Sequence, residues 1–337
     1  MADVMAMAFC SGKLPAHADF IRFNAASREA LAFDDWLHHG LHFVRTQLGV
    51  SWERTFSQSP QYQFVFHPEN SDRFLSGLLM ASQDKSQRRY PFLVSLLMDR
   101  RRFLDNQVFL APVLLSSFFE RAAQFVLRAM NGMEMRDIAD QTQALSVSSL
   151  DQGSSEQQFR SEYLEVVTAR EFWASLFGSF DDPRKFLVLK NLVDVLLPVR
   201  RRTPFRLNLG LRFPLSRDLR KRKFEVCLWH QVCLSMLGAS PGVPFLFWTL
   251  PRDGGEGHLF LFFRQPPPRF FLQLLSPGVE NETICIVDEE GAENVATAGQ
   301  TLTQGYRALI ESGDVTLSQF LQGLNQVSDR AEENYGR

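Results

Sequence analysis

Apolar positions change their spacing several times along this chain, and each change marks an element. A short apolar run, Met5 to Phe9, reads as a first strand. The stretch GKLPAHADFIRF, from Gly12 to Phe23, reads as the loop leaving it, because Lys13, His17, Asp19 and Arg22 need partners that a buried segment does not offer. In DWLHHGLHFVRTQLG, Leu37, Leu41, Val44 and Leu48 recur at three- and four-residue steps. That spacing predicts a helix over Asp35 to Leu48, capped by Asp34 or Asp35 and stopped by Gly49. Tyr62 to His67, Gly77 to Ala81 and Tyr90 to Met98 read as strands, the last two joined by SQDKSQRR. Pro112 suits a first helical turn, and the stripe Leu114, Leu115, Phe118, Ala122, Phe125, Val126 and Ala129 predicts the longest helix of the first half, ending at Asn131 and Gly132.

From Gln141 to Gln158 the chain holds no Lys or Arg and few large apolar residues, the composition of a linker or loop. Helical spacing resumes over Phe159 to Phe177 and Pro183 to Leu197, and Phe205 to Phe213 alternates as a half-exposed strand does. Ser216 is placed to cap a helix through Leu237 that Gly238 closes, and PFLFWTL and HLFLFF read as strands around RDGGEG, with Trp248 in the core. These elements predict an α/β fold, a layered mixed sheet with flanking helices, plus a mixed α/β C-terminal extension. The domains expected are 1–140, a polar linker 141–158, the extension 159–328 and a polar tail 329–337. There is no fixed-period internal repeat.

Length agrees with more than one domain, since 337 residues exceed the usual single-domain size of roughly 100 to 200. The 31 Phe against 5 Tyr and 5 Trp favour dry packing and leave self-association through an aromatic surface open. Cys10, Cys227, Cys233 and Cys285 match neither a metal signature nor a disulfide framework, and the amino terminus carries Asp3 and no basic n-region. Val108 to Phe119, the longest apolar stretch, is shorter than the roughly 20 residues a membrane span needs. A cytoplasmic protein with reduced thiols and no membrane insertion is therefore expected. Net charge is −2, yet Arg200 to Lys223 holds ten basic residues and one acid, whereas Glu280 to Arg337 holds eleven acids and three bases.

Four segments in order carry a family resemblance: the Gly12-Lys13-Leu14-Pro15 opening with Asp19-Phe20 and Arg22; Trp36-Leu37 with Gly40-Leu41; Asp84, Arg88, Arg89, Tyr90 and Pro91 within Ser76 to Leu96; and PFLFWT at 244–249. Together they resemble the TagF/ImpM family, type VI secretion-associated accessory proteins of Gram-negative bacteria. The resemblance implies a cytoplasmic post-translational regulator, with repression through a forkhead-associated (FHA) scaffold as the best-known role of relatives, acting by binding and not by chemistry. Two positions depart from the pattern: Ala18 and Gln87 stand where the family often has glycine. Glycines serving positive-φ turns would give those loops another shape.

The candidate site residues are Lys13, His17, Asp19, Arg22, Asp84, Arg88 and Arg89, expected to meet at one end of the sheet. They either present a polar face to a partner or fix loop geometry through an internal pair of Asp19 with Arg88 or Arg89. A rival reading makes Lys13, His17, Asp19 and Asp84 the site of an enzyme or small-ligand module. Arg220, Lys221, Arg222 and Lys223 form a second docking candidate, since cations in the first turn of a helix oppose its dipole and call for compensation from Asp288 to Glu293 or from a partner. His38 and His42, four residues apart, lack a third ligand, so no metal site and no cofactor is expected. With no GxSxG, P-loop or GxGxxG motif and no nucleic-acid signature, neither an enzyme nor a nucleic-acid binder is expected.

Overall fold

The computed structural model describes residues 6–103, 107–202, 205, 207–239, 242–250, 256–279, 282–289 and 291–335. Nine strands occur among them: β1 (Ala6–Gly12), β2 (Ile21–Phe23), β3 (Gln61–Phe66), β4 (Arg73–Met80), β5 (Phe92–Asp99), β6 (Gly210–Leu215), β7 (Phe245–Leu250), β8 (Gly257–Phe262) and β9 (Ile284–Ile286). The chain divides into two compact units. One comprises Met1–Asp151, Pro244–Asp253 and Arg264–Asn281; the other comprises Gln152–Val243, Gly254–Phe263 and Glu282–Arg337. The first division falls inside the polar stretch 141–158, which carries the end of a helix, Met135–Ala144, and most of another, Gln152–Phe159.

In the first unit the strand order is β2-β1-β5-β4-β3-β7, and every neighbouring pair is antiparallel. Adjacent residues of a strand point to opposite faces, and β7 shows what each face holds. Phe247 stacks 5.7 Å from Trp36 of the helix Arg28–Leu48, while its neighbour Trp248 meets Phe119 of the helix Ser116–Met130 at 5.5 Å. The sheet is thus sandwiched between helices. Trp36 is buried yet satisfied, because its indole N–H donates to the Pro266 carbonyl at 2.8 Å. Phe33 of the same helix packs on Phe64 and Phe66 of β3 at 4.7 and 4.6 Å. Gly40 permits a close helix contact: a Cβ there would lie 2.6 Å from Phe271 Cβ and 3.0 Å from the Pro268 carbonyl oxygen.

In the second unit β6 pairs antiparallel with β8 and parallel with β9. Trp229, from the helix Leu219–Leu237, stacks 4.6 Å from Phe213 of β6 and donates to the Pro214 carbonyl at 2.9 Å. Phe172 and Trp173 of the helix Ala169–Phe177 complete this core. That helix opens with a reciprocal capping box between Thr168 and Glu171 and ends on left-handed Gly178.

The α/β class with flanking helices and a mixed second part is what the structure has, and Trp248 is fully buried as expected. Several boundaries differ. The first helix begins at Arg28, with Ser27 Oγ accepting from Ala30 N at 3.1 Å, so Asp34 and Asp35 lie inside it and not at its cap. Its buried stripe extends back through Ala30 and Phe33. At 21 residues it exceeds the 15 of Ser116–Met130, because the Pro112 segment breaks at Leu115 and bends by 53°. A Ser116-Ser117 pair follows that break, a composition that accompanies kinks. The helix expected over Phe159 to Phe177 is interrupted by a π-turn at Arg160–Leu164. Strand β6 starts at Gly210, later than Phe205, and Asp218 caps the following helix in place of Ser216. Most of the RDGGEG turn lies outside the described residues. No single described helix is long and apolar enough to cross a membrane.

Candidate functional site

Register brings the two charged loops together. Gly12, the last residue of β1, and Met80, the last of β4, both pair with Phe92, the first of β5, so the loops 13–20 and 81–91 leave the same end of the sheet. Three clusters form there.

The first centres on Asp84. Its Oδ1 accepts from the backbone N–H groups of Ser86 and Arg88, both at 2.9 Å, and its Oδ2 faces Lys13 Nζ at 3.0 Å and Arg88 Nε at 2.7 Å. The first of these bonds is an Asx-turn, the local device by which Asp closes its own turn. The two loops are also sewn together by backbone: Lys85 N–H donates to His17 O at 2.8 Å, and Arg88 Nη2 donates to Ala18 O at 2.7 Å. Ser82 Oγ donates to Lys13 O at 2.6 Å. Asp84 is buried, and burial alone would raise its carboxyl; the hydrogen bonds from Arg88 and Lys13 outweigh that and hold it down to about 2. Gln87 takes φ 63°, the left-handed conformation that glycine favours, so this chain keeps the turn with a side chain in that place.

The second cluster gathers on Asp34. Arg22 Nη2 lies 2.6 Å from its Oδ2, and the Tyr90 hydroxyl donates to its Oδ1 at 2.6 Å. Burial, then the Asp34 carboxylate, push the Tyr90 phenol above its ordinary range. The third is built on Arg89, which reaches Gln83 Oε1 at 2.7 Å and Glu53 Oε2 at 3.0 Å. Arg45 donates to the Arg89 carbonyl and stacks over Trp52 at 4.4 Å.

His17 Nε2 donates to the Met133 carbonyl at 2.9 Å. Asp19 is exposed, and the carboxylate that holds Arg88 is Asp84, not Asp19. Lys85, Ser86, Gln87 and Arg88 are exposed on the other side of the turn. The site is therefore a locked frame with a polar outer surface. The sequence reading missed Asp34, Tyr90, Glu53 and Gln83 as parts of it; the signal available was the Asp-x-Ser of an Asx-turn, which identifies Asp84 as a turn former before any partner is known.

The other candidates separate. Arg222 is buried and donates through Nε to Ser216 O at 2.7 Å, so the basic run turns Arg222 inward and leaves Arg220 and Lys221 exposed and Lys223 partly so. Asp218, at the cap, accepts from Arg220 N at 3.0 Å and supplies negative charge at that helix end, while Glu289 is engaged by Arg212 at 2.6 Å. His38, His39 and His42 are exposed, and His39 is tied to Asp35 of its own helix. Among the described residues no group of three His, Cys, Asp or Glu is placed to hold a metal ion.

An antiparallel α/β unit whose β1 and β4–β5 loops are fastened by a buried carboxylate defines the class of domain. Residues 9–162 match the family model described as the TagF N-terminal domain, Type VI secretion system-associated. Over those residues the chain carries a TagF-type N-terminal domain, the domain associated with type VI secretion systems. Comparison with curated proteins gives no significant match. Among solved structures, the crystal structure of PA0076 from Pseudomonas aeruginosa PAO1 is similar at 16% identity, covering 81% of this chain and 96% of that one with a TM-score of 0.47.

Proposed function

We propose that this protein is a cytoplasmic accessory regulator of a Gram-negative type VI secretion system, acting after translation and in the repressing direction by binding a scaffold component such as an FHA-domain protein. The state of Asp84 supports binding over catalysis. Its carboxylate is buried and engaged by Lys13, Arg88 and two backbone N–H groups, so it fastens the loops from beneath while Asp19, Lys85 and Arg88 face outward. General acid or base work needs a group free to exchange a proton. In the rival set His17 is committed to the Met133 carbonyl and Asp84 is held ionised.

Recovery of the tagged full-length chain from its native cytoplasm, with and without the gene for the FHA-type scaffold, tests this reading. The wild type is expected to retain the scaffold. Lys85→Glu, whose part in the frame is a backbone bond, is expected to keep its melting temperature and lose the scaffold. Failure of the wild type to retain any secretion component, together with a bound small molecule that disappears on His17→Ala, overturns it in favour of the rival.

A further inference from the structure

The second unit contains a cavity of about 650 Å³ outside residues 9–162, within the size range of small-ligand sites. Four carboxylates, Asp182, Glu256, Asp288 and Glu289, line it against two guanidiniums, Arg184 and Arg212. Each guanidinium already holds one carboxylate. Arg184 grips Asp182 through two bonds, Nε to Oδ1 at 3.0 Å and Nη2 to Oδ2 at 2.9 Å, and Arg212 holds Glu289 at 2.6 Å. Glu256 pairs with Arg217 at 3.2 Å, both side chains being exposed. Among the described residues Asp288 is partly buried and forms no salt bridge with either guanidinium, and its Oδ1 is shielded from solvent without a hydrogen-bond donor. Phe177, Leu215 and Val295 give the cavity apolar wall.

We propose that this cavity binds an alkyl cation, a guanidinium or primary ammonium on an aliphatic stem, with Asp288 as its counter-charge. The excess of carboxylate disfavours an anion, and the apolar wall suits a methylene stem over a hydrated inorganic ion. The same chemistry is available as a free small molecule or as an Arg or Lys side chain of a partner segment.

Burial pushes the Asp288 carboxyl up to about 6; Arg212 and Arg184 pull it down and Glu289 pushes it further up. His258, on β8 at the cavity wall, adds no positive charge, because burial and then Arg212 and Arg222 drive it down to about 3. A cation binds the ionised form of Asp288, so its arrival expels a proton and affinity grows as pH rises through 6.

Calorimetric titration of the full-length chain with agmatine, and separately with a blocked Gly-Arg-Gly peptide, tests the proposal. One saturable site is expected, with affinity rising about tenfold between pH 5 and pH 7, the change in ionised fraction for a group titrating near 6. Stronger binding of agmatine identifies a free ligand, and stronger binding of the peptide identifies a partner side chain. Asp288→Asn is expected to weaken binding at least tenfold and abolish the pH dependence, whereas Glu256→Gln leaves it within about twofold. The wild-type pH series keeps the test decisive even where Asp288→Asn fails to fold. Absence of saturable heat with both probes, or inorganic phosphate binding in their place, overturns the proposal. The readout is independent of the scaffold, so failure here leaves the docking reading standing and the reverse.

Discussion

At the scale of single residues, Asp84 and Gln87 define the turn on which the candidate face is built. Asp84 has a folded-state carboxyl held below its ordinary value of 3.8. The stability this contributes is therefore present above about pH 4 and is lost as pH falls from there toward 2. Asp84→Asn is expected to lower the melting temperature at pH 7 by several degrees and to bring the variant and wild-type melting curves together only as pH falls to about 2, read by circular dichroism. Gln87 tests the other half of the turn. A side chain in the left-handed region costs roughly 1 to 2 kcal/mol, part of which glycine gives back through unfolded-state entropy. Gln87→Gly should raise stability by about 0.5 to 1 kcal/mol in urea denaturation; a loss of stability would show that the φ of 63° is not strained. The turn expected to differ for want of glycine is thus kept, at the cost of local strain.

At the scale of elements, the contact between the helix Arg28–Leu48 and the segment Pro268–Leu275 depends on one missing methyl group. Gly40 leaves no room for a Cβ beside Phe271, and Gly40→Ala forces that ring or the helix to move. Alanine gains about 1 kcal/mol in helix propensity, and overpacking costs about 1 to 3 kcal/mol, so the net is a destabilisation of up to about 2 kcal/mol. Thermal denaturation followed by tryptophan fluorescence checks this, since Trp36 sits 6.2 Å from Phe271. The Gly40-Leu41 pair entered the sequence reading only as part of a pattern, and the packing supplies its reason. Element boundaries were legible where a stop signal is chemical: Gly49 and Gly238 both end helices as read. They were less so where starts depend on tertiary burial. Ser27 caps the first helix because Ala30 and Phe33 find a core to enter, which three- and four-residue spacing from Leu37 onward does not reveal.

At the scale of the whole chain, the separation of charge along the sequence is partly undone by folding within the second unit. Arg200 and Arg201, from the basic stretch, both meet Asp329, from the acidic one, at 2.5 and 2.6 Å, and Arg212 meets Glu289. Arg200 is buried and also donates to the Ser235 and Met236 carbonyls, at the C-terminal end of the helix Leu219–Leu237, where a cation complements the dipole. Asp329→Ala leaves that buried guanidinium with less compensation. A loss of about 1 to 3 kcal/mol is expected, below the usual figure for a fully buried pair because Asp329 is partly exposed, and it should shrink little in high salt. Urea denaturation at two salt concentrations measures both.

The amino-acid sequence by itself determined the α/β class, the order of most elements, the charged loop at 13–22 and the Asp84 turn, because strand alternation, helical spacing and turn chemistry are local properties of a chain. Only the tertiary structure decided which carboxylate holds Arg88, that Asp34 joins Arg22 to Tyr90, and that Arg222 turns inward. The Arg22–Asp34–Tyr90 contact joins residues far apart in sequence through strand register and helix packing, and although Asp84 and Arg88 stand four residues apart, spacing alone does not choose between Asp84 and Asp19.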